Sequence, residues 1–186
     1  NGSNGGSHIQ TVRADRVSAW RADCRCGYQW QWIDANGEKT DPIRLADFDG
    51  KLKVIYCFQS WCPGCHKFGF PALKELVDEF GDSDQIEFFV VQTVFEGFEE
   101  NPYEKIVETQ KQYDLKVPFG HDPGDGEKHE RSSVMEHYRT GGTPWFIFVD
   151  KENKVVTNGF HIDAGKTIEY LKEEIGSDAA KTTGKN

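Results

Sequence analysis

Residues 54–76, VIYCFQSWCPGCHKFGFPALKEL, contain two cysteines separated by two residues, Cys62 and Cys65. Together with His66 they read C-x-x-C-H, the spacing that attaches a c-type haem. Without the histidine they read C-x-x-C, the spacing of a redox-active pair of thiols. The motif fits both interpretations, so the choice between them depends on the sequence on either side.

The flanking residues change from a strand pattern to a helical one. Residues 52–59 form a short, continuous apolar run, which is typical of a fully buried parallel strand. After Cys62, apolar residues recur at intervals of three and four up to Gly81, which predicts a helix kinked at Pro71. This order brings Cys62 to a helix N-terminus, where unpaired N–H groups and the helix dipole stabilise a thiolate.

The surroundings of the motif argue against a haem. A macrocycle needs a large cavity, usually between helices, and often a second axial ligand, whereas strand-forming residues flank this motif and the chain has one methionine, Met135. We therefore interpret Cys62 as a nucleophile and Cys65, one turn into the helix, as the thiol that resolves a mixed disulfide. No cofactor is expected.

The length of 186 residues suits one domain with its own core. We expect an N-terminal extension over residues 1–26, the domain over residues 27–176 and a flexible tail over residues 177–186. The net charge of −9 argues against a nucleic-acid partner, because an acidic chain repels a polyanion.

No stretch approaches the roughly 18 apolar residues that cross a bilayer, so no membrane span is expected. The start of the chain also lacks the charged and apolar regions of a signal peptide. These observations predict a cytoplasmic location, with a periplasmic location as the alternative if a signal has been removed.

The remaining three cysteines fall into two groups. Cys57 lies inside the apolar strand and is expected to be an inert, buried residue. Cys24 and Cys26 lie in the polar extension, where they could form an accessory redox pair, join the dithiol around zinc, or have no role. We expect Cys62 to react before the others; the alternative is that Cys24 or Cys26 reacts first through exposure.

The rest of the chain alternates between strand and helix patterns, which predicts an α/β sheet with helices on both faces. Strands are predicted at residues 28–32, 52–59, 86–94, 145–149 and 154–157. Helices are predicted from residue 62 to 80, from Asn101 as the cap to 113, at 132–139 and at 163–175, with a polar loop at 121–130.

Three further segments accompany the dithiol. Residues 48–51, FDGK, precede the first long apolar strand; residues 143–150, TPWFIFVD, follow the cysteines after about 80 residues; and residues 151–154, KENK, form a turn. Together with the strand, W-C-x-x-C and the proline-containing helix, these segments resemble the thioredoxin-like superfamily, and more narrowly its TlpA-type and AhpC/TSA-type (redoxin) branch. The resemblance covers roughly residues 32–175.

The resemblance implies a thioredoxin-like α/β sandwich with a mainly parallel central sheet and helices on both faces. It also implies an enzyme that exchanges disulfides with protein or small-molecule substrates and has a reductase or its equivalent as electron donor. In such proteins a cis-proline faces the dithiol, and the backbone before it pairs with the substrate. Pro144 and Thr143 would take these two places.

The residues beside the cysteines would support the same site. Trp61 would shape the substrate-binding surface, and Pro63 with Gly64 reverses the Gly-Pro order of thioredoxins, which bears on the redox potential. His66 has two open interpretations. It stabilises a thiolate as an imidazolium, or it is a solvated residue of the first helical turn.

The sequence also departs from the family pattern. Tyr56 stands six residues before Cys62, where many relatives have a buried acid that accepts the proton of the second thiol; Glu96 is one candidate replacement. No peroxiredoxin-type T-x-x-C is present, so a thiol peroxidase is a weaker alternative to disulfide exchange. The alternative from another class is a non-catalytic module that carries a metal or a haem on the same thiols.

Overall fold

The structure is a computed structural model and describes residues 30–128 and 130–182. The predicted extension, with Cys24 and Cys26, lies outside the described residues. The last helix continues to Thr182, beyond its predicted end at Ile175, so it includes part of the predicted tail. The side chains from residue 177 onward also lie outside the described part of the chain.

The described residues contain seven strands and four helices. The strands are β1 (Gln31–Ile33), β2 (Lys39–Thr40), β3 (Leu52–Phe58), β4 (Ile86–Thr93), β5 (Phe119–Asp122), β6 (Trp145–Val149) and β7 (Val155–Gly159). The helices are α1 (Phe70–Phe80), α2 (Glu104–Tyr113), α3 (Ser133–Tyr138) and α4 (Ala164–Thr182). A 3-10 turn at Leu45–Phe48 precedes β3, and a π-helical segment at Cys65–Gly69 precedes α1.

The strands form one mixed sheet in the order β2-β1-β5-β4-β3-β6-β7. β4 lies between β3 and β5 and is parallel to both. The other four pairings, toward the two edges, are antiparallel. The prediction of a mainly parallel sheet is therefore wrong. A continuous apolar run indicates that a strand is buried on both faces, but it does not indicate the direction of the neighbouring strands.

Helices cover both faces of the sheet, as the strand–helix alternation predicts. Successive residues of a strand point to opposite faces. In β3, Val54, Tyr56 and Phe58 join one buried cluster, whereas Ile55 and Cys57 join another. The first cluster includes side chains of α1, α2 and α4, and the second includes side chains of α3. β3 is thus the strand around which both layers of the core are built.

The prediction of a polar loop over residues 121–130 is wrong at its start. β5 takes His121 and Asp122 into the sheet, where both side chains are buried. His121 Nδ1 accepts a hydrogen bond from the Gln92 side chain at 2.9 Å, and Asp122 Oδ2 accepts one from the Val134 amide at 2.8 Å. Polar residues can occupy a buried strand when each has such a partner, and the hydrophobic pattern does not show these partners.

The helix α2 begins at Glu104 and not at Asn101, the predicted cap. Asn101 is buried, and its Oδ1 accepts a hydrogen bond from the Ser60 amide at 2.8 Å. Its Nδ2 donates to the Gly97 carbonyl at 2.7 Å. The Asn101 carboxamide therefore joins two loops of the chain instead of capping the helix.

The helix after the cysteines is irregular before Pro71, not at it, because Pro71 lies in the first turn of α1. Within Cys65–Gly69 the helical hydrogen bonding is of the wider π type. The Tyr56 hydroxyl donates to the Cys65 carbonyl in this segment at 3.1 Å. A methyl group on Gly69 would lie 2.7 Å from Cζ of Tyr56, so a larger residue at this position would overlap the tyrosine ring.

Replacing Gly69 by alanine should lower the free energy of unfolding by roughly 1–3 kcal/mol, because the added methyl forces Tyr56 or the helix to move. The matched change Gly176→Ala in α4 meets open space and should be neutral or stabilising by up to about 1 kcal/mol. Urea unfolding of both variants measures the difference. A Gly69→Ala protein as stable as the wild type would contradict the close packing described here.

Candidate active site

The two cysteines of the motif lie where β3 turns into the helical segment. The Cys62 amide donates to the Gln59 carbonyl at 3.1 Å, which closes the turn after the strand. The Cys65 amide donates to the Cys62 carbonyl at 3.1 Å and lies 3.3 Å from the Cys62 sulfur. Both thiols are free; Cys62 is 6% exposed and Cys65 is completely buried. This arrangement gives the Cys62 sulfur a backbone N–H donor and places the second thiol behind it.

The loop before β6 lies against the dithiol. The Thr143-Pro144 peptide bond is cis, and the Cys62 thiol lies 3.5 Å from the Thr143 carbonyl oxygen, to which it donates. The Pro144 ring approaches Gly64 so closely that a Cβ there would lie 3.2 Å from Cδ of the proline. The fold thus brings together the four positions that the sequence selects from two distant segments.

The environment of Cys65 disfavours its thiolate. Burial and the contact with the Cys62 sulfur raise the pKa of Cys65 to about 12, while the Gln59 backbone amide and the Thr143 side chain lower it. None of the groups that shift this pKa is a carboxylate within the described residues. Glu96, the predicted candidate for a replacement acid, has an exposed side chain. The Gln59 amide is a contribution that sequence reasoning could not find, since any residue supplies a backbone N–H.

Both ring nitrogens of His66 have hydrogen-bond partners outside the dithiol. Its Nε2 lies 2.7 Å from the Ser60 carbonyl, which can only accept, so Nε2 carries the proton. Its Nδ1 lies 2.6 Å from the Tyr113 hydroxyl and accepts from it in the neutral ring. The ring also stacks on Tyr113. His66 is therefore a half-buried link between α2 and the turn before Cys62.

Exposed aromatic side chains surround the motif. Trp61 is 44% exposed, and its ring lies against the backbone at Gly97. Phe68 and Phe160 are also exposed, and His161 contacts both rings. A groove of about 510 Å³ adjoins Phe68 and His161. Sequence reasoning selects Trp61 alone of these; Phe68 has the spacing of a core helix residue and gives no signal of its exposure.

The aromatic row, defined as Phe68, His161, Phe160 and Trp145, leads from the helical segment to the proline loop. The ring centroids of Phe160 and Trp145 are 4.5 Å apart in an edge-to-face arrangement. The backbone of Gly142, two residues before Pro144, lies against Phe160. The row therefore connects Phe68 of the π-helical segment with the loop that carries the cis-proline.

A buried network of polar side chains attaches the turn before Cys62 to the sheet through hydrogen bonds. Gln92 Nε2 donates to the Asn101 carbonyl at 3.0 Å and contacts His121 at 2.9 Å. Asn101 in turn accepts hydrogen bonds from the amide and the hydroxyl of Ser60, at 2.8 and 3.0 Å. Burial lowers the pKa of His121 to about 4, against a smaller opposing effect of Glu104. The network links the centre of the sheet to the active-site turn through neutral side chains.

Cys57 is completely buried within β3, as the apolar run predicts, and burial raises the pKa of its thiol. Within residues 30–128 and 130–182, no group of three or more His, Cys, Asp or Glu side chains is arranged to hold a metal ion. The predicted roles of Cys24 and Cys26 fall outside the described residues.

Comparison with known proteins identifies a matching family and a related oxidoreductase. The family model for AhpC/TSA matches residues 27–158, more than half of the chain. The thiol-disulfide oxidoreductase ResA of Bacillus thuringiensis is 28% identical over 149 residues, which cover 75% of this chain and 69% of ResA.

Solved structures of thioredoxin-like proteins also align with this chain. The crystal structure of a thioredoxin-like superfamily protein aligns with a TM-score of 0.63 at 30% identity, over 84% of this chain and 92% of that one. The exposed lipoprotein thioredoxin of Streptococcus pneumoniae aligns with a TM-score of 0.55 at 26% identity, over 77% of this chain and 97% of that one. In the described part of this chain, none of the helices has the length and apolar character needed to cross a membrane.

The difference between the three described thiols predicts their order of alkylation. A brief, substoichiometric iodoacetamide pulse on the reduced protein at about pH 6 should label Cys62 well before Cys65 and Cys57, because of these three thiols only Cys62 has any exposed surface and lies at a helix N-terminus. Peptide mass spectrometry gives the site. Replacing Cys24 and Cys26 by serine removes their competition, and preferential labelling of Cys65 in that background would contradict the assignment.

His121 predicts a pH dependence of stability. Its pKa is about 4 when folded, below the ordinary 6.5, so between these values the unfolded chain binds a proton that the folded protein does not. Stability is therefore lost as the pH falls from about 7.5 to about 5, by about 2 kcal/mol from this residue. Urea unfolding of wild type and His121→Asn at both pH values tests this. An equal pH dependence in the two proteins would rule out His121 as its source.

Proposed function

The chain belongs to the AhpC/TSA family, as the sequence predicts, and on this premise we propose that it is a thiol–disulfide oxidoreductase working through Cys62 and Cys65. One observation carries the proposal: two free thiols lie together beside a cis-proline loop, with the Cys62 sulfur within reach of the Cys65 amide and the Thr143 carbonyl. The relative ResA is itself named a thiol–disulfide oxidoreductase.

The reaction has two exchange steps. The Cys62 thiolate attacks one sulfur of a substrate disulfide, so a Cys62–substrate disulfide forms and the other substrate sulfur leaves as a thiolate. Cys65 then loses its proton and attacks the Cys62 sulfur, which closes the Cys62–Cys65 disulfide and releases the second substrate thiol. The substrate is reduced by two electrons, and an external dithiol donor restores the pair. The Cys65 amide lies 3.3 Å from the Cys62 sulfur, and the Gln59 backbone amide partly offsets the burial that raises the pKa of Cys65.

Thr143, Pro144 and Trp61 are proposed to bind the substrate chain. The Thr143 carbonyl faces the Cys62 sulfur, so a substrate strand that pairs with this backbone would bring its disulfide to the nucleophile. Pro63 and Gly64 are proposed to support the pair, Gly64 by letting the Pro144 ring approach closely and Pro63 by having no backbone N–H that competes as a donor. His66 supports it indirectly, by holding the turn at Ser60.

The aromatic row favours a protein substrate over a small disulfide. Phe68, in the π-helical segment, is 53% exposed, and Phe160, which lies against Gly142 of the proline loop, is 43% exposed. Exposed aromatic side chains of this kind commonly mark protein-interaction surfaces. A peptide segment around the disulfide would cover them, whereas a small disulfide would reach only the sulfur itself.

The cytoplasmic location predicted from the sequence finds no support among the relatives. The Streptococcus pneumoniae protein is described as an exposed lipoprotein. We therefore propose that this chain works outside the cytoplasm, in line with the periplasmic alternative. Disulfides form and persist in such compartments, which would supply the disulfide-containing substrates that the proposed reaction needs.

Reduction of insulin disulfides by dithiothreitol tests the proposed activity. Wild type should accelerate the reaction, and Cys62→Ala should abolish the acceleration because the nucleophile is lost. Cys65→Ala should retain the first step and accumulate a mixed disulfide on Cys62, visible as added mass. The matched variant Cys57→Ala should retain full acceleration, since Cys57 is buried in the sheet.

Three results would count against the proposal. Acceleration that survives Cys62→Ala would rule out the proposed nucleophile. Failure to reduce insulin, combined with stoichiometric retention of zinc or haem that depends on Cys62 and Cys65, would identify a carrier. Rapid consumption of hydrogen peroxide without insulin reduction would identify a thiol peroxidase.

A further inference from the structure

Tyr56 occupies a distinctive place beneath the dithiol. It belongs to β3 and is completely buried. The centroid of its ring lies 4.9 Å from that of Phe70 and 4.7 Å from that of Phe146, so aromatic packing fixes the ring. Its hydroxyl donates to the Cys65 carbonyl at 3.1 Å. The strand that leads into Cys62 therefore also holds the backbone of Cys65.

The π-helical segment makes this bond possible. In an α-helix the Cys65 carbonyl would accept from the amide four residues on, at Gly69. Here it accepts from the Phe70 amide instead, and the wider turn admits the tyrosine hydroxyl as a second donor. Gly69 completes the arrangement, because any side chain there would overlap the phenol ring. Three local features thus serve one hydrogen bond.

We propose that Tyr56 is the positioning residue for the resolving thiol, holding the Cys65 carbonyl so that the Cys65 sulfur is aligned for attack on Cys62. This inference rests on the proposed function, because it concerns the second step of disulfide exchange. Tyr56 touches neither the substrate nor the Cys62 sulfur at which the disulfide breaks. It contacts Cys65 through a hydrogen bond to the backbone carbonyl and a hydrogen bond with the side chain, and we assign the positioning role to the backbone bond.

The physical reason is geometric. Cys65 must approach the Cys62 sulfur along the axis of the disulfide that breaks, and a misplacement of about 1 Å can slow such a step roughly a hundredfold. Cys62 is positioned by the end of β3 through chain continuity. Cys65 lies beyond Pro63 and Gly64 and needs its own connection to that strand. The Tyr56 hydroxyl provides this connection. The positions of both sulfurs are then fixed relative to the same rigid strand, β3.

The hydroxyl acts as a fixed donor and not as a base. Burial raises the pKa of Tyr56 well above its ordinary value, and the negative charge of a Cys65 thiolate and a hydrogen bond with the Cys65 side chain raise it further. The phenol therefore stays protonated at every pH where the enzyme would work. The proton that Cys65 loses goes to solvent or to the departing thiolate. A residue in this role should change the rate of resolution by the same factor across the pH range.

Stopped-flow reaction with 5,5′-dithiobis(2-nitrobenzoate) separates the two steps. Attack by Cys62 releases one thionitrobenzoate at a rate proportional to reagent concentration, and attack by Cys65 then releases the second at a rate independent of it. The protein is the full chain with Cys24 and Cys26 replaced by serine. We expect Tyr56→Phe to slow the second release roughly tenfold or more, by a constant factor from about pH 6 to about pH 9, with the first release unchanged.

Two further variants complete the test. Tyr138→Phe, which removes a buried hydroxyl on the opposite face of the sheet, should leave both phases unchanged. Gly69→Ala, which crowds the same phenol, should slow the second phase and remains informative if Tyr56→Phe does not fold.

The possible outcomes separate the positioning role of Tyr56 from a role in proton exchange and from the proposed function. An unchanged second phase in Tyr56→Phe, or an equal slowing of both phases, would overturn the positioning role while leaving the proposed function intact. A ratio of wild-type to variant rates that changes with pH would show instead that the hydroxyl exchanges a proton. The absence of any second release from the wild-type adduct would overturn the proposed function itself.

Discussion

The pairing of β3 with β6 is the constraint on which the site depends. The strands are antiparallel, and Cys57 lies opposite Trp145, so the end of β3 meets the beginning of β6. The residues just after one strand therefore lie beside those just before the other, which places Thr143-Pro144 against Cys62. A slip of one residue would turn every side chain of β6 to the wrong face. The core on both faces of β3 thus fixes the active-site geometry as well as the fold.

The strand–dithiol–helix unit could be predicted from sequence because its signals are local. The apolar run before Cys62, the spacing to Cys65 and the helical periodicity up to Gly81 each report on adjacent residues. The contact with Pro144 could not be derived in this way and came from the family resemblance. Neither the local signals nor the resemblance predicted that β6 runs antiparallel to β3. A strand buried on two faces has the same composition whichever way it runs.

The features that sequence reasoning missed depend on partners distant in the chain. His121 and Asp122 belong to a buried strand only because Gln92 and the start of α3 satisfy them. The π-helical segment accepts a hydrogen bond from a tyrosine of another element, and the sequence of the segment has no periodicity that indicates this partner. Asn101 is a residue type typical of helix caps, but its side chain hydrogen-bonds to two loops instead. Polar residues are therefore the least predictable part of this molecule.

The side-chain network beneath Ser60 affects how tightly a substrate can be held. Gln92, Asn101 and His66 attach the turn before Cys62 to the sheet and to α2, so that turn is already ordered before any ligand arrives. Its conformational entropy is given up during folding, where burial of the core offsets it. Binding therefore loses little conformational entropy on the enzyme side. Most of the entropic cost of forming the complex comes from ordering a flexible substrate segment.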